Sequence, residues 1–310
     1  MWLLQPPYCL CINSVKKFVQ FDLNTSLSND YVSFIDFGHP DLIFETRHGA
    51  VPVYTDCTFH CVPMGFAQLL ILMVYLDAYK KYIPIFYVLL PNKKYETYRC
   101  AMSLILAACN WQLRATTYTI DYEVALQKLF ALFFPQDENV SCFFHFKQAI
   151  VRQLEQLRIP GHILYAIAGT NGLIDLLTVI DPLEVVCKGI PYIKSKLAAL
   201  ELTPECKLAL ARFWRYFLKI WCNGRYQIAS WNVSRLDPDS IVNRTNNALE
   251  RFNRTLKERL LVVVVPHAHP SMAQFLEAIK QLSHEHVQEL AALRGSTQLP
   301  RDTHRPPPLL

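Results

Sequence analysis

Val51-Pro52-Val53-Tyr54-Thr55-Asp56-Cys57-Thr58-Phe59 begins as a β-branched and aromatic run and carries a carboxylate toward its end. Two more apolar runs follow, Phe66 to Tyr75 and Ile83 to Leu90, separated by Pro63-Met64-Gly65 and by a charged patch from Asp77 to Lys81. Such side chains suit a pleated, half-buried surface, and the punctuation is that of hairpin-like turns. The spacing predicts three successive strands, with Asp56 near the end of the first.

Working outward, Tyr95 to Cys109 spaces its apolar residues for a helix, and Ala115 to Ile120 is a β-branched strand that ends at Asp121. A second acid therefore lies at a strand terminus. Tyr122 to Phe134 reads as a helix stopped by Pro135, Val140 to Phe144 as a strand, and Phe146 to Leu157 as a helix halted before Pro160. The alternation predicts an α/β fold, a mixed sheet flanked by helices, in which acids at neighbouring strand ends converge. From Gly161 to Cys222 the periodicity turns helical, Pro182, Pro191 and Pro204 break the segments, and strand signals vanish. This predicts an all-helical insertion. Its aromatic centre, Phe213 to Trp221, reads as core rather than as a base-stacking surface.

A further helix is predicted from Thr245 to Leu260, with Leu249, Phe252, Leu256 and Leu260 as its inward stripe. From Ile241 to Leu260 there are five basic and two acidic residues, a local charge of +3. A short apolar run, Leu260 to Val265, precedes an amphipathic helix from Ser271 to Leu293, and Gly295 to Leu310 reads as a disordered, proline-rich tail. The resulting division is a lead-in or remnant over 1–48, a core over 49–160, the insertion over 161–225, the helices around and after Glu250 over 226–293, and a tail over 294–310.

With 310 residues, 52% of them hydrophobic, the chain buries a large core. A net charge of +5 permits a polyanionic partner without demanding one. Ten scattered cysteines make no disulfide framework and suit a reducing compartment. The apolar stretch from Leu69 to Leu76 falls far short of the roughly 20 residues of a membrane span, so no membrane partner is expected. Five Asn-x-Ser/Thr matches, Asn253-Arg254-Thr255 among them, stand without a secretory context.

The chemistry rests on Asp56, Asp121 and Glu250. Mg²⁺ requires oxygen ligands, and two such ions about 3.5–4 Å apart clamp the attacking and leaving oxygens of a phosphodiester. Each acid also has a local reading. Asp121 and Glu123 suit a helix start, with Glu123 read as helical surface. Asn247-x-x-Glu250 is a variant capping box, and Glu250 with Arg254 an i, i+4 pair. Cys142-x-x-His145 has half the spacing of a zinc site, whose closed form needs four ligands; it reads as a buried Cys beside a hydrogen-bonded His, and no zinc site is predicted. Arg244, Arg251, Arg254 and Lys257 suit phosphate contacts, which position DNA without reading its sequence, or a solvated helix face.

Several segments recur in a known order: Asp56-Cys57-Thr58-Phe59 with Pro63 and Gln68 following, Leu90-Pro91-Asn92-Lys93 with Tyr98, Asp121-Tyr122-Glu123, Cys142-Phe143-Phe144-His145-Phe146, Trp231-Asn232, and Thr245-Asn246-Asn247 leading to Glu250. In this order and spacing, from Gly49 to Glu258, the chain resembles the catalytic domain of Mutator-like (MULE) transposases, within the RNase H-like superfamily of DDE/D recombinases. The resemblance implies an RNase H-like sheet and Asp56, Asp121 and Glu250 as catalytic metal ligands. It further implies DNA cleavage and strand transfer assisted by two Mg²⁺ ions, with Mn²⁺ as a substitute, a homo-oligomer, DNA as partner and the nucleus as compartment. Cys142, His145, Asn246 and Asn247 match family positions to which it assigns no role. The family usually has Gly where Cys57 stands, a residue expected to crowd close strand packing. It also commonly carries an N-terminal zinc-binding recognition domain and a C-terminal zinc motif, neither of which the sequence supplies. A domesticated or truncated transposase-derived DNA-binding or regulatory protein without catalysis is the alternative.

Overall fold

Two strands that the sequence reading leaves in the lead-in, β1 (Val19–Leu27) and β2 (Asp30–Phe37), belong to a seven-stranded sheet. The computed structural model describes residues 5–6, 8–27, 30–59, 61–135, 138–236, 247–261 and 269–296. After the short helix α1 (Pro40–Glu45), β3 (Ala50–Thr58), β4 (Gln68–Leu76) and β5 (Lys81–Leu90) form an antiparallel meander. Helix α2 (Tyr95–Ala108) leads to β6 (Arg114–Ile120), which pairs parallel with β3. Helix α3 (Val124–Phe133) leads to β7 (Glu138–Ser141), parallel with β6. The order is β1-β2-β5-β4-β3-β6-β7. A three-strand meander extended by two parallel strands beside its first strand is the RNase H-like α/β arrangement.

The central strand is buried on both faces. Alternate residues point to opposite sides, so Leu70, Leu72 and Val74 join one core while Leu69, Ile71 and Met73 join the other. This explains why β4 is almost uninterruptedly apolar. Pro84, which cannot donate to a ladder, is accommodated in β5 where the pairing with β4 shifts register between Leu72 and Met73. On one face α2 and α3 pack through Tyr98, Met102, Ile105, Leu126 and Phe130. On the other lie α8 (Asn247–Leu261) and α9 (Met272–Ser296), through Leu249, Phe252, Leu256, Phe275 and Ile279.

Between the two halves of this frame, α4 (Phe143–Gln156), α5 (Gly161–Ala168), α6 (Ile190–Ala198) and α7 (Pro204–Phe217) build a helical unit with its own core. Phe213, Phe217 and Trp221 are buried in that core, as the sequence reading expects. Trp231 stacks on Phe146 with ring centroids 5.2 Å apart and donates its indole N–H to the Trp221 carbonyl at 2.8 Å. Asn232 donates to the carbonyls of Leu177 and Ile180, both at 2.8 Å. The Trp231-Asn232 pair therefore fastens the helical unit.

Two boundaries differ from expectation. The run read as a strand from Val140 to Phe144 divides: β7 ends at Ser141, Cys142 caps α4, and Phe143 starts the helix. Cys142 and Phe143 there serve the start of a helix, a case in which a short apolar run has no readable period. Helix α9 continues to Ser296, into the segment read as tail. Residues 262–265 of the apolar run, and 297–310 of the tail, lie outside the described residues. Among the described residues no helix is long and apolar enough to cross a membrane.

Candidate active site

Parallel pairing of β3 with β6 sets Tyr54 opposite Thr119. Two residues further along each chain come Asp56 and Asp121, so the register alone carries both acids to the same end of the sheet. Asp56 is 9% exposed and follows Tyr54 on the face covered by α8 and α9. Asp121 leaves β6 in a turn in which its Oδ1 accepts the Glu123 backbone N–H at 2.9 Å, fixing the carboxylate.

Helix α8 supplies the third acid. Its stripe of Leu249, Phe252 and Leu256 seats it on the sheet, with Phe252 tilted against Tyr87 at 5.9 Å. Residues three apart share a helix face, so Glu250 and Asn253 turn together toward β3. Asn253 Nδ2 donates to Asp56 Oδ2 at 3.0 Å, and Glu250 lies within the field of Asp56.

Helix α4 closes the group. The Cys142 amide donates to the Ile120 carbonyl at 2.8 Å, tying the start of α4 to the end of β6. Cys142, His145 and Glu250 each present a donor atom, and these atoms lie within 4.8 Å of one another. His145 also stands near enough to Asp121 to favour its charged form.

All three carboxyls are harder to ionise than free ones. Burial, then the Asp121 charge, pushes Asp56 up to about 7 against the opposing Cys57 amide and Asn253 hydrogen bonds. Burial likewise raises Asp121, opposed by the Glu123 amide, His145 and Lys93. Burial raises Glu250, with His145 opposing and Asp56 reinforcing. Among the described residues Glu250 Oε1, His145 Nδ1 and Asn253 Oδ1 are buried without a hydrogen-bond partner. An orphaned buried polar atom costs about 1–3 kcal/mol. Three crowded acids and an unsatisfied carboxylate oxygen fit a hard divalent cation, whose charge would reverse the repulsion.

A brace supports the turn at Asp121. Tyr98 donates its hydroxyl to Glu123 Oε1 at 2.9 Å and accepts from Gln68 Nε2 at 2.7 Å, while Gln68 also reaches the Asn92 carbonyl at 3.1 Å. Glu123, read from sequence as helical surface, is instead half-buried and held by Tyr98, because β6 ends beside α2. Cys57 sits 3.8 Å from the same hydroxyl and packs against the α2-side core, so its side chain is accommodated.

Arg251, Arg254 and Lys257 are exposed on α8, and Asn247 is exposed at its first turn. Arg244 and Asn246 lie outside the described residues. Asn253 is the site residue that the sequence reading missed; its signal was the three-residue spacing from Glu250. Beside Asp121 a cavity of about 440 Å³ is lined by His145, Arg152, Tyr216, Trp221 and Arg225.

No curated protein matches the chain. Among solved structures, the Drosophila P element transposase strand transfer complex matches with a TM-score of 0.39 and 10% identity, over 81% of this chain and 81% of that one. Residues 53–149 match the MULE transposase domain family, a span that contains Asp56, Asp121, Cys142 and His145 and stops short of Glu250. Over residues 53–149 the chain is thus similar to the MULE transposase domain.

Proposed function

We propose that this chain is the catalytic core of a DNA transposase, cutting and joining phosphodiesters in the nucleus as a homo-oligomer. The observation that supports it most is the grouping of Asp56, Asp121 and Glu250, acids from separate elements of which Asp56 is buried and the other two half-buried, with one orphaned oxygen. These residues would hold Mg²⁺, or Mn²⁺ in its place, as a pair of ions. Bound there, the ions would supply an activated nucleophile and charge stabilisation at the leaving oxygen.

The remaining residues act by position. Asn253 orients Asp56, and the Glu123 amide orients Asp121, with Tyr98 and Gln68 bracing the turn. Arg251, Arg254 and Lys257 offer exposed cations for DNA phosphates on the helix that carries Glu250; Arg244 would extend that set. A non-catalytic DNA-binding derivative would have no use for crowded like charges that weaken the fold, so their presence favours the enzyme.

Nicking of supercoiled plasmid by the purified chain with Mg²⁺ or Mn²⁺ is the test, alongside Asp121→Asn. Metal-dependent nicking by the wild-type chain alone supports the reading. Equal background from both overturns it.

A further inference from the structure

Cys142 and His145 stand one turn apart at the start of α4, on a helix fixed in the helical core by Phe146, Ile150 and Leu154. Residues so spaced share a face, and this face meets Glu250 of α8. Sulfur, imidazole nitrogen and carboxylate oxygen lie within 4.8 Å of one another. Zinc ligands in a tetrahedron stand roughly 3–4 Å apart, since metal–ligand distances are about 2.0–2.3 Å. A small side-chain rotation closes the difference.

Two orphaned atoms point the same way. His145 Nδ1 and Glu250 Oε1 are both buried without a hydrogen-bond partner among the described residues, and a shared cation would satisfy Glu250 while fixing the His145 ring. A thiolate and an imidazole favour a borderline-soft ion over Mg²⁺, which takes oxygens. Three protein ligands leave a fourth position open, the form of an accessible site rather than of a closed structural one.

We infer that Cys142, His145 and Glu250 form a second metal site, selective for Zn²⁺ or Co²⁺, that shares Glu250 with the oxygen-ligand site of Asp56 and Asp121. Occupation of one withdraws Glu250 from the other, so Zn²⁺ opposes Mg²⁺-dependent chemistry. The inhibitory clause rests on the proposed function; the binding clause does not.

Co²⁺ is the direct probe, because thiolate ligation gives a near-ultraviolet charge-transfer band. The wild-type chain should show the band, and Zn²⁺ should bleach it. Cys142→Ser, checked for folding by circular dichroism, should lose the band. Glu250→Gln should keep it at about tenfold higher Co²⁺, and Asp121→Asn should titrate like wild type. No band in the wild-type chain, or a band that survives Cys142→Ser, overturns the site. If plasmid nicking fails while the band appears, the transposase reading falls and the metal site stands. If nicking succeeds, Zn²⁺ should suppress it at least tenfold, with relief by chelator; nicking insensitive to Zn²⁺ that still bleaches the band overturns the sharing of Glu250.

Discussion

Asn253 Nδ2 donates to Asp56 Oδ2 across 197 residues of sequence, joining the helix of Glu250 to the strand of the first acid. The bond holds the Oδ2 oxygen of the Asp56 carboxylate. Asn253→Ala frees the Asp56 side chain without adding charge, and metal-dependent nicking should fall about tenfold or more, as expected when a group that orients a ligand is lost. Circular dichroism should be unchanged. Wild-type nicking by this variant would remove Asn253 from the site.

Asp56→Asn should abolish nicking and at the same time stabilise the metal-free chain. The folded carboxyl titrates near 7 against an ordinary 3.8. Between those values the folded state holds a proton that the unfolded state has released, so wild-type stability falls as pH rises through this window. The loss is complete above 7 and absent below 3.8. Three units correspond to about 4 kcal/mol at most. The variant should therefore gain Tm at pH 8 and gain little at pH 4, and added Mg²⁺ should narrow the difference by stabilising only the wild type. Equal melting curves at both pH values would show that Asp56 is not strained.

A second buried acid tests the same physics away from any metal. Asp36 is 1% exposed, both its oxygens lack a hydrogen-bond partner among the described residues, and burial raises it well above the usual carboxylate range. Its protonated folded form makes stability fall as pH rises from the unfolded value near 3.8. Asp36→Asn should raise Tm at neutral pH and have no effect at pH 3.5. A variant less stable at pH 7 would mean the carboxylate has a partner.

The brace gives a milder expectation. Tyr98→Phe removes the donor to Glu123 and leaves Gln68 Nε2 with the Asn92 carbonyl alone. About 1–3 kcal/mol of stability should be lost, as when one partner of a buried hydrogen bond is deleted. Chemical denaturation measures it; a change below about 0.5 kcal/mol would rule out the brace.

How much of this was legible follows from what each residue touches. Asp56 and Asp121 end β-branched runs, so local pattern and order along the chain marked both. Strands β1 and β2 were missed although Gln20, Asp22 and Asn24 alternate with Val19, Phe21 and Leu23 in β1, the period-2 pattern of a strand with one exposed face. Asn253 was hidden among short glycosylation-type matches, and only the seating of α8 on Tyr87 reveals its direction. Glu123 looked like helical surface because its partner, Tyr98, lies on a different element.

The exposed cations of α8 make the last expectation. Arg251, Arg254 and Lys257 surround the helix face opposite Leu249, Phe252 and Leu256, which leaves them free to meet a polyanion without unseating the helix. Contacts of this kind carry no sequence information. Duplex DNA should therefore bind with weak sequence preference, and each lost phosphate contact should reduce the slope of log affinity against log salt by about 0.9. Arg251→Ala with Arg254→Ala should lower affinity evenly across unrelated duplexes and flatten that slope by up to about two. Titrations of several duplexes at several salt concentrations measure both quantities. A loss confined to one sequence, or an unchanged slope, would assign DNA binding to another face of the protein.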